Sequence, residues 1–306
     1  MCTVCGCGAA AKLPLEAAAS AAVDGHSHSP DHHHHHADGG HAGAHRHDHD
    51  HHPHDHPPHA HHAHDGPGTV DIMMAPAAAA RRRVRVEQDI LAENDRLAAG
   101  NRAVFAGLGA TALNLMSGPG SGKTTLLVRT IEDLRARVPV CVIEGDQETS
   151  FDAERIRATG AAAVQINTGR GCHLDAQMVA NALPTLAPPS GAVIFIENVG
   201  NLVCPAGFDL GESARVVLLS VTEGDDKPLK YANMFAEADL MLLTKIDLLP
   251  FVPFDPERCS AFARRVNPRI EILPLSATSG EGLRQWYDWI ERRRTQPRPA
   301  AHPGWG

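Results

Sequence analysis

Ser117-Gly118-Pro119-Gly120-Ser121-Gly122-Lys123-Thr124 stands between an apolar run at 113–116 and a helical pattern that starts at Lys123. A glycine-rich segment ending in Gly-Lys-Thr between a strand and a helix reads as a phosphate-binding loop. Its glycines let successive backbone N–H groups turn inward around an anion, and the helix that follows adds its positive dipole end. Lys123 is expected to reach the β- and γ-phosphates, and the Thr124 hydroxyl to ligate Mg²⁺. The nucleotide contacts expected from this stretch are Gly118, Gly120, Ser121, Gly122, Lys123, Thr124 and Thr125. Ser117 stands where the strict pattern has glycine, and Gly118 and Gly120 are expected to supply the flexibility instead.

Outward from this loop, short Val/Ile/Leu runs alternate with helical windows. The strands are expected at 113–116, 140–143, 164–166, 193–196, 216–220, 240–243 and 270–273, and the helices at 123–135, 175–183, 256–266 and 283–294. Continuously apolar strands alternating with helices imply a mostly parallel sheet covered on both faces, a three-layer α/β fold. Glu144-Gly145-Asp146 and Glu197-Asn198-Val199-Gly200 end the second and fourth strands, at the carboxyl edge where such sheets bind ligands. Asp146 and Glu197 are assigned to holding Mg²⁺ and orienting the attacking water, and with Lys123 they make the expected catalytic set. The plain alternative is solvated loop carboxylates.

Leu242-Leu243-Thr244-Lys245-Ile246-Asp247 ends the sixth strand and resembles the Asn-Lys-x-Asp guanine motif, with Thr244 in place of Asn. A carboxylate at Asp247 can accept from guanine N1–H and N2–H₂, which adenine does not offer on that edge. Ser276-Ala277-Thr278 follows the last strand like the loop whose backbone meets guanine O6. Lys245, Asp247, Ser276 and Ala277 are therefore expected nucleotide contacts, and GTP is favoured over ATP. Taken singly, Asp247 reads equally as a helix cap and Ser276 as an ordinary turn.

The chain has 306 residues, 43% of them apolar, and a formal charge of −8. That acidic balance argues against nucleic-acid binding, which needs a basic footprint. No apolar run approaches the roughly 20 residues a membrane helix requires. The start carries no basic n-region, so no signal peptide is read, and seven cysteines, an odd number with three at metal spacing, make a reducing cytoplasm the expected compartment. Nineteen of the 21 histidines fall within 26–64. The expected organisation is a cysteine motif at 1–8, a disordered His-rich tract at 9–80, an amphipathic helical segment at 81–107, a nucleotide-binding domain at 108–294 and a flexible tail at 295–306. In the helical segment the apolar positions are Val86, Ile90, Leu91, Leu97 and Ala98.

Three constellations suit metal. Cys2, Cys5 and Cys7 place three thiols beside the N-terminus, and with the terminal amine could form an S₃N site that suits Ni²⁺ among several metals. Cys172-His173 and Cys204 bring further soft ligands to the nucleotide edge of the sheet. Three ligands per chain are one short of closed tetrahedral zinc, and a dimer sharing ligands would complete the site. The histidines of the tract interleave with Asp31, Asp48, Asp50 and Asp55 and suit buffering or storage of divalent ions. Cys141 and Cys259 are expected in the core.

The cysteine motif, the helix Val86-Glu87-Gln88-Asp89-Ile90-Leu91-Ala92-Glu93-Asn94, the phosphate loop, Gly169-Arg170-Gly171-Cys172-His173-Leu174-Asp175 and Glu197-Asn198-Val199-Gly200-Asn201-Leu202-Val203-Cys204-Pro205 together resemble the HypB family. These are GTPases that deliver nickel to [NiFe]-hydrogenase during maturation. The resemblance implies a SIMIBI-class P-loop GTPase fold and dimerisation when GTP is bound. It makes Cys2, Cys5 and Cys7 the tight nickel site, and Cys172, His173 and Cys204 a nickel or zinc site at the dimer interface. It implies a HypA-type metallochaperone and the hydrogenase large-subunit precursor as partners. Lys227 and Lys230 match a basic family segment that contacts nucleotide across the dimer. Two other functions fit the composition: a nickel store with a secondary nucleotide domain, and a urease-type nickel GTPase.

Overall fold

A computed structural model of the chain describes residues 77–146 and 151–295, with side chains in the first helix described from Val84 onward. Seven strands form one sheet: β1 (Thr111–Ser117), β2 (Val140–Asp146), β3 (Ala162–Asn167), β4 (Val193–Glu197), β5 (Ala214–Ser220), β6 (Leu240–Thr244) and β7 (Glu271–Pro274). Their order is β3-β2-β4-β1-β5-β6-β7, and every neighbouring pair is parallel. Each of the seven expected strands is present, extended at most by a few residues. β1, β2, β4, β5 and β6 are buried almost throughout, as continuous apolar runs covered on both faces must be.

The alternation of strand side chains sorts the core into two faces. Leu113, Leu115, Val142, Phe195, Val216 and Leu218 point toward α2 (Lys123–Leu134) and α8 (Leu283–Thr295), where Leu127, Ile131, Trp286 and Trp289 pack. Trp286 keeps its buried indole N–H satisfied by donating to Thr130 Oγ1 at 3.0 Å. On the opposite face, Ala112, Cys141, Ile143 and Ile194 meet α1 (Ala77–Leu108) and α4 (Ala176–Leu186), while Met116, Val217 and Met241 meet α6 (Ala232–Ala236) and α7 (Pro256–Val266). The result is the expected three-layer α/β sandwich. Three short helices, α3 (Phe151–Ala158), α5 (Lys227–Lys230) and α6, are additional to the expected ones.

The first helix departs from expectation in which residues it buries. Val86 and Ile90 are 48% and 40% exposed, and Leu91 is exposed as well. Of the expected positions Ala98 is buried and Leu97 half-buried, and the buried stripe also carries Asn94, Asn101 and Phe105. Two asparagines lie inside because buried backbone groups on facing loops require partners. Asn94 accepts from Ala176 N at 2.9 Å and donates to Asp209 O at 2.8 Å, while Asn101 donates to Ala176 O and Leu210 O at 2.9 and 3.0 Å. Val86 and Ile90 line a shallow apolar groove with Leu97 and Phe208. No described helix is long and apolar enough to cross a membrane.

Candidate functional site: a phosphate cleft beside a thiol–imidazole cluster

β1 runs into the glycine loop, whose turns are made by Gly120 and Gly122 at φ 75° and 90°. These left-handed conformations suit glycine and almost no other residue. Ser117 and Gly118 do not adopt positive φ, so serine is tolerated at the first position without strain, and it donates its hydroxyl to Gly118 O at 2.8 Å. Gly118 contributes close approach rather than flexibility: a Cβ there would come within 3.0 Å of Glu223 Oε2. Behind the loop opens a cleft of about 550 Å³, within the range of roughly 300–1,000 Å³ usual for small-ligand sites.

Acidic side chains line its far wall. Lys123 Nζ lies 3.6 Å from Glu197 Oε1, which also accepts the Thr124 hydroxyl at 2.7 Å. Parallel pairing of β2 with β4 sets Glu144 opposite Glu197, and both are nearly inaccessible at 2% and 3% exposure. Burial, and then the Glu197 and Asp146 carboxylates, push the Glu144 carboxyl up to about 8. Burial raises Glu197 too, against the pull of Lys123 and the Thr124 hydrogen bond. Glu144 Oε2 and Glu197 Oε2 are buried without a hydrogen-bond partner, two of three such side-chain atoms among the described residues. Unsatisfied carboxylate oxygens beside Thr124 and Asp146 are a donor set of hard oxygen ligands, which fits a divalent cation such as Mg²⁺. Glu144 lies outside the expected set of Asp146 and Glu197, although an acid in an otherwise apolar strand end is its signal in the sequence. Arg155 of α3 also lines the cleft, donating to Thr125 Oγ1 at 3.1 Å.

The opposite end of the cleft is tied to the glycine loop. Thr244 donates its hydroxyl to Ser121 O at 2.7 Å, and Lys245, itself left-handed at φ 61°, donates to Gly120 O at 2.7 Å. Asp247 sits on the 3₁₀ turn Ile246–Phe251, and Ile246 N reaches Leu275 O at 3.4 Å. The Asp247 turn and the Ser276–Ala277 turn therefore lie side by side. Ser276 is buried and holds its own turn, its hydroxyl accepting from Ser279 N at 3.1 Å and its N–H bonding Glu281 O at 2.9 Å.

Against the other flank, ligand atoms of Cys172, His173 and Cys204 all fall within 4.8 Å of one another, with Cys172 Sγ 3.6 Å from His173 Nδ1. Local sequence explains the convergence. Thr168 bonds Gly171 O at 2.9 Å and closes the turn before Cys172, and Asp175 caps α4 by accepting from Met178 N at 2.8 Å. Asn201 accepts from Val203 N and Cys204 N and so turns Cys204 inward. The His173 ring packs against the Phe208 ring with centroids 4.0 Å apart and planes tilted by 31°. Burial lowers the His173 pKa against the opposing Asp175 charge, which favours the neutral imidazole that ligates metal. Gly200 and Leu202, on the loop leading to Cys204, pack against Pro119 and Gly118 of the phosphate loop.

Cys141 and Cys259 are buried as expected, and burial pushes the Cys259 thiol to about 12, which keeps it protonated and inert. Lys227 lies 4.0 Å from Glu223 and over the Tyr231 ring, and Lys230 pairs with Asp226 at 2.7 Å. Cys2, Cys5, Cys7, the histidines of 26–64 and the tail beyond Thr295 lie outside the described residues.

A family profile, the nucleotide-binding domain of CobW/HypB/UreG, matches residues 112–274. Among curated proteins the chain is 64% identical over 220 residues to hydrogenase maturation factor HypB of Azotobacter vinelandii, covering 72% of this chain and 73% of that one. It is 61% identical over 220 residues to hydrogenase maturation factor HypB of Escherichia coli K12, covering 72% and 76%. Among solved structures, HypB from Helicobacter pylori in complex with nickel superposes with a TM-score of 0.64 at 35% identity, covering 69% of this chain and 100% of that one. HypB from Archaeoglobus fulgidus superposes with a TM-score of 0.63 at 42% identity, covering 66% and 99%.

Proposed function

The chain belongs to the HypB family of hydrogenase maturation factors, within the wider CobW/HypB/UreG nucleotide-binding group, and on that premise we propose that it hydrolyses GTP and couples the cycle to nickel delivery. The acceptor is the [NiFe]-hydrogenase large-subunit precursor, a HypA-type metallochaperone is a partner, and the working form is a cytoplasmic homodimer assembled with GTP. The division of labour follows the expected segments: 1–8 for tight nickel binding, 9–80 for buffering, 81–107 with 108–294 for the nucleotide domain, and 295–306 as a tail.

The observation that carries this reading is the placing of the cluster. Soft ligands for a transition ion stand within 4.8 Å of each other, and the loop leading to Cys204 packs against the phosphate loop. Two sulfurs and an imidazole suit nickel as cargo and equally suit zinc. Lys123 would hold the β- and γ-phosphates, and Asp247 with the Ser276–Ala277 turn would select guanine. Thr124, Asp146 and Glu197 would hold Mg²⁺, which when bound neutralises charge developing on the phosphoryl oxygens. Asp146 and Glu197 orient the water that attacks the γ-phosphorus while the bond to the β–γ bridging oxygen breaks, giving GDP and phosphate. Ordering of the loops by the terminal phosphate, and their release on hydrolysis, then changes how well Cys172, His173 and Cys204 can close on the metal.

The test is nickel titration of the full chain with GDP and with a non-hydrolysable GTP analogue, followed by thiolate-to-nickel absorption. Replacing Cys2, Cys5 and Cys7 by Ala leaves the cluster as the thiolate source, and Cys204→Ala should then diminish the band. A nickel affinity that is the same with both nucleotides would remove the coupling.

A further inference from the structure

The loop carrying Cys172 and His173 and the loop carrying Cys204 leave different strands, β3 and β4, and one buried side chain joins them. Asn198 Oδ1 accepts the Leu174 N–H at 3.0 Å, one residue past His173, and the Val199 N–H at 3.0 Å, at the root of the segment leading to Cys204. Asn198 is 1% exposed and directly follows Glu197, the carboxylate held by Thr124. Its Nδ2 donates to Asn114 Oδ1 at 3.3 Å, which fixes which way the amide faces.

Leu174 makes the second connection. It is fully buried, and its side chain sits directly on the backbone of Gly145, where an added Cβ would lie 2.7–2.9 Å from Leu174 Cγ, Cδ1 and Cδ2. Gly145 stands between Glu144 and Asp146. Leu174 thus touches both acid-bearing strand ends, β4 through its N–H and β2 through its side chain.

We propose that Asn198 and Leu174 are the positioning residues that carry the state of the nucleotide cleft to the Cys172–His173–Cys204 cluster. The inference rests on the reading of that cluster as a nucleotide-switched metal site. One oxygen that accepts from both loops cannot follow one without drawing the other, because an N–H left unpaired in a dry interior costs as much as the bond is worth. Displacement of Glu197 therefore arrives at Leu174 and at its neighbour His173. Close packing of leucine on glycine leaves no slack to absorb movement of β2.

The experiment uses the full chain with Cys2, Cys5 and Cys7 replaced by Ala, Ni²⁺ buffered by a chelator, and the thiolate-to-nickel band as readout. The quantity is the ratio of nickel affinities with GDP and with the non-hydrolysable GTP analogue, expected at about 5–150-fold in this background, the usual span of allosteric couplings. Asn198→Ala should bring that ratio close to one while both nucleotides still bind, and Leu174→Ala should reduce it. A merely destabilising change would weaken nickel binding in both nucleotide states alike and leave the ratio standing. A full ratio in Asn198→Ala overturns the proposal, as does a full ratio in Leu174→Ala if the asparagine variant does not fold. A ratio of one in the unsubstituted background would instead overturn the switched-site reading itself.

Discussion

Glu144→Gln should stabilise the nucleotide-free protein at alkaline pH and leave it almost unchanged in acid. The carboxyl is held at about 8 against an ordinary 4.5, chiefly by burial and then by Glu197 and Asp146. A group whose folded pKa lies above its unfolded one keeps its proton in the native state after the unfolded chain has released it. Stability therefore falls as pH rises through the interval between the two values, and levels off above about 8. Each unit is worth about 1.36 kcal/mol, so the whole interval has an upper bound of about 5 kcal/mol. Relaxation and water entry reduce this, and Glu197 shares the titration, so a gain of about 2–3 kcal/mol is the working expectation. Glutamine keeps the shape and carries no charge, so the loss should vanish with it. Urea unfolding in a chelator without nucleotide, at pH values of about 5, 7 and 8.5, would give the two stability curves. They should coincide at the acid end and diverge steadily upward. Parallel curves over the whole range would refute the claim that Glu144 is a desolvated carboxyl facing another acid.

Thr244→Ala removes a buried hydroxyl bond to Ser121 O, and calorimetric affinity for a GTP analogue should fall about fivefold, equivalent to ~1 kcal/mol; an unchanged affinity would mean that this tie does not shape the loop. Asn101→Leu strips partners from Ala176 O and Leu210 O and should lower stability by about 2–3 kcal/mol in urea unfolding. A neutral result there would show that the first helix does not clamp those segments. Gly145→Ala forces a Cβ into Leu174 and should cost about 1–3 kcal/mol by overpacking. Combining it with Leu174→Ala should recover part of that loss, and strictly additive losses would argue against direct contact.

The seven strands were legible because each is an apolar run long enough to be recognised and bounded by polar or glycine-rich breaks. α2, α4, α7 and α8 were legible because their apolar positions recur with helical spacing. α3, α5 and α6 are too short to display that period. α1 is legible as a helix, but only Ala98 of its expected apolar positions is fully buried, beside Asn94, Asn101 and Phe105. Periodicity counts apolar side chains, whereas Asn94 and Asn101 are inside for the backbone groups they satisfy. Glu144 is not distinguished by its sequence, since an acid at a strand end looks solvated until the neighbouring strand brings a second acid beside it.

From residues alone came the phosphate loop, the candidate guanine motif, the candidate cysteine and histidine ligands and the layered sheet, because each is written in contiguous residues or in a repeating spacing. Only tertiary structure could decide that Cys204 closes on Cys172 and His173, that Thr244 holds the phosphate loop, and that one amide binds both loops of that cluster. Those relations depend on strand order: in β3-β2-β4-β1-β5-β6-β7 only β2 separates β3 from β4, and only β5 separates β1 from β6, so segments distant along the chain leave the same edge of the sheet one strand apart. No local pattern encodes that order, because it is set by how the two faces of the sheet are most completely covered.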